Sequence, residues 1–230
     1  MSGGVFLAAG AVKTAVESLL AAGRWIGAQP QVSFGTVGAL RDRILAGEAF
    51  DATVLSAEAM ALVAGRGLVE PASVTALGTT GIGLAVRDGL DLPPIDTEQG
   101  LRAVLGQATR IAWADPSGGA TAGRHFAAVI DRLGIADAIR SRSMLFAFGV
   151  EAVAACERGE ADVAVSQATE IVGRPGVRLL GLFPAPHALA TAYAAAARPG
   201  SAAAADIIAT LTGPAGRAAL AAIGFTTGEP

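Results

Sequence analysis

The chain has little of what several common kinds of site require. Its single cysteine, Cys156, excludes an internal disulfide, and there is no CxxC pair to bind zinc. The only two histidines, His125 and His187, lie too far apart in sequence to show metal-site spacing. Cys156 ends an apolar run (residues 153–156), which favours a buried small hydrophobic residue over a reactive thiol. These residues indicate neither a metal site nor another cofactor.

Charge is scarce as well, at 16% of residues with a net charge of −3, and the pI is about 5.4. A nucleic-acid-binding protein usually has a basic face, which this sequence does not indicate. No apolar run approaches the roughly 18 residues that a membrane span needs, so membrane insertion is not expected. The apolar run at residues 5–12 has no basic residue before it, unlike a secretory signal. The expectation is a cytosolic protein, or an exported one whose signal has been removed.

Aromatic residues are also few, at 5%, but hydrophobic residues make up 52%, so the composition is that of a globular protein. Short continuous apolar runs, such as residues 5–9, are typical of buried parallel strands. Each run precedes a segment with apolar residues at helical spacing. This alternation predicts an α/β fold made of mainly parallel sheets flanked by helices.

The strand–helix alternation stops near residues 67–71 and then restarts, which predicts two lobes joined by two hinge crossovers. The first lobe is expected to comprise residues 1–80 and 187–230, and the second residues 81–186. Ligands of such sheets bind at the carboxyl ends of strands, opposite helix N-termini. A ligand cleft is therefore expected between the lobes.

Four glycine-rich, weakly charged loops connect predicted strands to helices. Helix N-termini present unpaired N–H groups and partial positive charge, so convergent loops of this kind could bind an anion without lysine or arginine. Alternatively, the glycines only form tight turns. Two polar residues at the end of another strand complete the predicted set. The ligand-binding candidates are Gly10, Ala11, Thr36, Val37, Gly38, Ser117, Gly118, Gly119, Ala120, Thr121, Gly149, Ser166 and Gln167.

Charged side chains near these loops are further candidates. Arg124 could bind a carboxylate through two hydrogen bonds, or could be a solvated helix residue. If the protein is an enzyme, Glu170, His125 and Asp115 are the candidate acids or bases, although Glu170 could be a helix charge and His125 a packed residue. There is no Ser/His/Asp set, GxGxxG or GxxxxGK[ST], so hydrolase and nucleotide-binding functions have no support.

Several segments carry a family resemblance: residues 34–44 and 46–51, Asp115–Gly119 leading to Gly123–Phe126, residues 159–163, residues 166–171, residues 175–177 and residues 181–184. They resemble the molybdate-binding-protein-like family of type II periplasmic solute-binding proteins. The resemblance includes a branch with aconitate isomerase-like members.

The resemblance implies capture of a small anionic solute and its delivery to an ABC-type permease, in the periplasm, by a monomer. Molybdate binders of this family usually have serines in the first two loops, where this chain has Gly10 and Thr36–Gly38. The tyrosine expected after the last binding strand is not evident. These departures favour an organic carboxylate over a tetrahedral oxyanion. The alternatives are an isomerase of a small tricarboxylic acid such as aconitate, and a cytosolic anion sensor.

Overall fold

A computed structural model describes residues 3–226 and divides the chain into two compact units. The first unit runs up to Thr80 and resumes at Thr191, and the second is Gly81–Ala190. Residues 1–2 and 227–230, the ends of the predicted first lobe, lie outside the described residues. The chain passes between the units within one long strand and at the start of the last strand.

The helices and strands alternate along most of the chain. The strands are β1 (Val5–Ala9), β2 (Gln31–Gly35), β3 (Ala52–Ser56), β4 (Thr75–Arg87), β5 (Ile111–Ala114), β6 (Ser143–Phe146), β7 (Val163–Gln167), β8 (Val177–Leu182) and β9 (Ala190–Ala197). The helices are α1 (Lys13–Ala21), α2 (Val37–Leu45), α3 (Ala57–Ala64), α4 (Glu98–Gln107), α5 (Thr121–Arg132), α6 (Ala136–Arg140), α7 (Gly149–Glu157), α8 (Ala204–Thr212) and α9 (Pro214–Ala222).

The sheet of the first unit has the strand order β2-β1-β3-β9, with β9 antiparallel and the other pairs parallel. Its central strand β1 is almost entirely apolar because helices cover both faces of such a sheet. Phe6 and Leu7 of β1 have no exposed surface, nor does Leu40 of α2. The apolar core of this unit therefore lies directly against its parallel strands.

The sheet of the second unit has the order β8-β4-β7-β5-β6. The pairs β7–β5 and β5–β6 are parallel, whereas β4 runs antiparallel to β7 and β8. Phe126 of α5 is fully buried against this sheet, and its ring meets Trp113 of β5 edge-on at 5.1 Å between centroids. Phe183, just after β8, contacts Phe126 at 6.1 Å. These three rings anchor α5 to the sheet.

The predicted fold class is confirmed: each unit is an α/β structure whose sheet is flanked by helices. Two elements differ from the sequence-based expectation. The apolar run at residues 81–86 predicts a strand, but β4 begins six residues earlier, at Thr75, and the sequence does not predict the short helix α6. Cys156 is confirmed as a buried residue, and burial raises the pKa of its thiol to about 12, which makes it unreactive.

Each unit has an aspartate just before a sheet strand that accepts hydrogen bonds from neighbouring backbone. Asp51 accepts from the Val5 N–H at 2.7 Å and from the Ser201 hydroxyl at 2.7 Å. These bonds hold the pKa of Asp51 below its usual value, and the charge of Arg198 assists. Burial alone raises the pKa of Asp162, but hydrogen bonds from residues 109 and 110 outweigh it, so this pKa is lowered too.

We expect the Asp51→Asn and Asp162→Asn variants to be less stable at neutral pH and to lose stability less steeply in acid. A carboxylate with a lowered folded-state pKa contributes stability above its unfolded pKa of about 3.9 and loses it as pH falls through the folded value. Asp51→Asn leaves one bond without a charged acceptor, at a cost of about 1–3 kcal/mol. Urea unfolding at several pH values measures both effects. Asp137 is exposed, so the Asp137→Asn variant should have wild-type stability at each pH. If all three variants lose stability in acid as steeply as wild type, Asp51 and Asp162 do not stabilise the fold as carboxylates.

Candidate functional site

In the first unit, the loops after three neighbouring parallel strands lie at one edge of the sheet. β1 pairs with β2 through Ala9 and Gly35, and with β3 on its other side, so the carboxyl ends of all three strands share this edge. Gly10, Thr36 and Ser56 are the residues that end these strands or directly follow them. This edge therefore contains two of the predicted binding loops and one further serine.

Thr36 and Ser56 have similar local roles. The Thr36 hydroxyl accepts a hydrogen bond from the Ala39 N–H at 3.1 Å and caps α2, whose first two residues are the candidates Val37 and Gly38. Ser56 caps α3 in the same way through the Ala59 N–H at 3.4 Å. Ser56 was not among the residues predicted from the sequence, although a serine between an apolar strand and a helix is a recognisable cap signal.

The first loop differs from the other two. Gly10 and Ala11 form a short 3-10 turn that leads into α1, and the residue before it, Ala9, has no side chain able to cap. Ala11 is buried, whereas Gly10 is partly exposed. No side chain caps this helix end, so its backbone N–H groups are the groups that could meet an anion.

In the second unit, the loop after β5 is shaped by Asp115. This carboxylate accepts hydrogen bonds from the backbone N–H of Ser117 at 2.8 Å and from its hydroxyl at 2.6 Å. These bonds lower the pKa of Asp115, so it is an ionised loop cap and a weak base. Gly119 follows with φ of 76°, a left-handed conformation that favours glycine. α5 then begins at Thr121 after Ala120, which offers no capping side chain.

A second group of candidates meets at the end of β7. The Ser166 hydroxyl hydrogen-bonds the Glu170 carboxyl group, and both groups lie against Gly149, the first residue of α7. A methyl group on Gly149 would overlap both the Ser166 oxygen and a Glu170 oxygen. Alanine at position 149 would therefore displace the ends of these two side chains. Ser166 and Gln167, expected to follow their strand, are instead its last two residues and are buried.

Burial raises the pKa of Glu170, while hydrogen bonds from Ser166 and the Gln167 backbone and the charge of Arg174 oppose this effect. Arg174 is itself bound by both carboxylate oxygens of Glu157, at 2.5 and 2.7 Å. Because Arg174 also binds Glu157, it compensates a negative charge on Glu170 less than a cation bound to Glu170 alone would. The protonated form of Glu170 is therefore favoured.

The histidines occupy a different part of the second unit. His125 Nε2–H donates to the backbone carbonyl of His187 at 2.7 Å, and His187 Nε2–H donates to Glu98 at 3.0 Å. Burial lowers the pKa of His125, which favours its neutral form. These bonds fix the segment before β9 to α4 and α5. Arg124, beside His125 in sequence, is exposed.

The geometry therefore sorts the candidates into groups. Gly149, Ser166 and Glu170 are in mutual contact, and Ser117–Thr121 form one loop before α5 with Asp115 as its cap. His125 is engaged with His187. Within residues 3–226, no group of three histidine, cysteine, aspartate or glutamate residues could hold a metal ion. No helix in this part of the chain combines the length and apolarity of a membrane span.

Two α/β units, joined by strands that continue from one to the other, define the type II periplasmic-binding fold. The chain belongs to the family of bacterial extracellular solute-binding proteins, whose family model matches residues 5–226.

Individual relatives differ in their ligands. The periplasmic molybdate-binding protein of Azotobacter vinelandii has a TM-score of 0.76 at 19% identity, covering 98% of this chain and 99% of that one. Campylobacter jejuni Peb3, in its L-phospholactate-bound structure, has a TM-score of 0.68 at 14% identity, covering 97% and 99%. An aconitate isomerase from a Pseudomonas species is 28% identical over 196 residues, which are 85% of this chain and 72% of that protein.

Proposed function

We propose that the protein binds a small anionic solute, an oxyanion or an organic carboxylate, through the strand-to-helix loops of its two units. The observation that carries the proposal is the set of helix N-termini at the carboxyl ends of parallel strands. The loops before α1, α2 and α5 supply backbone N–H groups and hydroxyls and contain no lysine or arginine. Such helix ends bind anions by hydrogen bonds and by the helix dipole.

Two relatives support an anionic ligand. The similar Azotobacter protein is named for molybdate, and Peb3 is described with L-phospholactate, so both an inorganic and an organic anion occur on this fold. Gly10, Val37 and Gly38 have no hydroxyl where the resembled molybdate binders usually have serines, so the first two loops offer fewer side-chain donors, which favours an organic carboxylate. Delivery of the captured solute to an ABC-type permease, outside the cytoplasm, is the role that the family suggests.

The loop before α5 allows a charge-specific test. Gly118 is exposed, and a β-carbon built there meets its nearest heavy atom at 3.9 Å, an ordinary contact distance. We expect Gly118→Asp to weaken anion binding about ten- to a hundredfold through like-charge repulsion, and the neutral, equally sized Gly118→Asn to bind within a few-fold of wild type. Isothermal titration with molybdate, sulfate, cis-aconitate and trans-aconitate measures this. Equal effects of Asp and Asn would contradict anion binding at this loop.

An isomerase on the same fold is the second candidate, favoured by the aconitate isomerase relative and by the raised pKa of Glu170. Such a reaction removes a proton from the carbon beside the double bond and returns one at the other end of the allylic system, and a carboxylate whose pKa is raised is the stronger base for the first step. Incubation of trans-aconitate with the protein in D2O should then give cis-aconitate with deuterium incorporated. The Glu170→Gln variant should neither form cis-aconitate nor incorporate deuterium. Unchanged substrate without deuterium would exclude this activity.

A further inference from the structure

We propose that the Ser166–Glu170 pair makes anion binding proton-linked, so that the protein binds its ligand with Glu170 protonated and releases it when Glu170 ionises. This inference rests on the proposed function and adds a regulatory role for one part of that site. It follows from three groups that the fold brings together from separate segments: Ser166 at the end of β7, Glu170 in the 3-10 turn Ala168–Glu170, and Gly149 at the start of α7.

Which of Ser166 and Glu170 donates the hydrogen bond between them depends on whether Glu170 is protonated. If Glu170 is ionised, its carboxylate can only accept, so the Ser166 hydroxyl must donate its single proton to it. If Glu170 is protonated, its O–H can donate to the Ser166 oxygen, and the Ser166 proton is then available to another acceptor. One proton on Glu170 therefore converts Ser166 from a donor consumed inside the protein to a donor for a neighbouring oxygen.

Electrostatics acts in the same direction. Gly149 begins the nine-residue helix α7, and the Glu170 carboxyl group lies directly against this residue. An ionised carboxylate there places a negative charge at a helix end that would otherwise attract an anionic ligand. A protonated carboxyl group removes this repulsion. Glu170 is thus a positioning residue, which acts through Ser166 and through the charge at the N-terminus of α7.

Burial favours the protonated form of Glu170, and the charge of Arg174 opposes it. Helix α7, which packs on the 3-10 turn, contributes Glu151, Glu157 and the buried thiol of Cys156. Strand β8, which also packs on α7, contributes Arg178. Glu151 accepts from the Phe148 N–H at 3.3 Å, Glu157 binds Arg174, and Arg178 donates to the Leu90 carbonyl at 3.4 Å. Arg174 is the cation that opposes the raised pKa of Glu170, and Glu157 shares it.

The test is the pH profile of anion affinity for wild type and Glu170→Gln, titrated with sulfate, whose charge is constant over the range used. Above the pKa of Glu170, wild-type affinity should fall by up to about tenfold per pH unit, because each binding event then takes up one proton. Glu170→Gln copies the protonated acid and should bind with little pH dependence. Titrations in two buffers of different ionisation enthalpy should show proton uptake by wild type only.

Matched variants separate this role from a structural one. Glu151→Gln, an exposed carboxylate in the first turn of α7, should keep the wild-type pH profile. Ser166→Ala should weaken binding at low pH, where its donor is used. The inference is wrong if Glu170→Gln folds, binds sulfate and retains the wild-type pH dependence. If wild type binds sulfate, molybdate and both aconitates at no pH, the proposed function fails instead, so the two failures are distinguishable.

Discussion

Replacing Gly149 by alanine should abolish high-affinity ligand binding and lower the free energy of unfolding by about 1–3 kcal/mol. The added methyl group would overlap the Ser166 oxygen and a Glu170 oxygen, so α7 must shift away from β7 or both side chains must leave their positions. Either response moves candidate groups whose hydrogen bonds depend on tenths of an ångström. Isothermal titration and urea unfolding of the same preparation measure the two effects.

A second glycine in the same unit provides the control for Gly149→Ala. Gly106 lies in α4, and a side chain built there meets no atom within 4 Å. Alanine at this helical position should stabilise the protein by about 0.5–1 kcal/mol and leave ligand affinity unchanged. If Gly149→Ala keeps wild-type ligand affinity and gains stability as Gly106→Ala does, then Gly149 does not lie in close contact with Ser166 and Glu170.

Phe126→Ala should cost the second unit about 3–5 kcal/mol of stability, the largest single effect that we expect. The Phe126 side chain is fully buried, and its ring contacts those of Trp113 and Phe183. Its removal leaves a cavity between α5 and the sheet and removes the edge-on contact with Trp113. Because α5 starts at the end of the Ser117–Ala120 loop, ligand affinity should fall together with stability.

The exposed Phe148 serves as the control for this variant, since truncating a phenylalanine that is 36% exposed should change stability by no more than about 0.5–1 kcal/mol. Urea unfolding followed by tryptophan fluorescence reports on both units, through Trp25 in the first and Trp113 in the second. A Phe126→Ala variant that unfolds at the wild-type urea concentration would contradict the packing of α5 described here.

The fold was largely predictable because its strongest signals are local. Residues 5–9 form a continuous apolar run between turn residues, and β1 occupies the same residues, Val5–Ala9. The start of β4 was missed because residues 75–80 include Gly78 and several threonines, which resemble a loop when their neighbours are unknown. Helix α6 was not predicted because it has only five residues and the residue before it, Ile135, has no capping side chain.

The candidate site was predictable only in part, because contacts between distant segments leave no local trace. Thr36 and Ser117 were found from their place between strand and helix. The meeting of Ser166 and Glu170 with Gly149 depends on how α7 packs on β7, which sequence spacing does not specify. In the same way, nothing near His187 in sequence indicates that Glu98, on α4, accepts its hydrogen bond.

The most direct test of the central claim is the unfolding stability of the wild-type protein with molybdate, sulfate, cis-aconitate and trans-aconitate. Chloride at the same ionic strength and a neutral sugar serve as controls. At one hundred times its dissociation constant, a ligand of the native state adds about 2.7 kcal/mol to the stability. The account predicts a saturable rise with at least one of these anions, which Gly118→Asp reduces and Gly118→Asn retains. Stability equal to the chloride control with all four anions would contradict it.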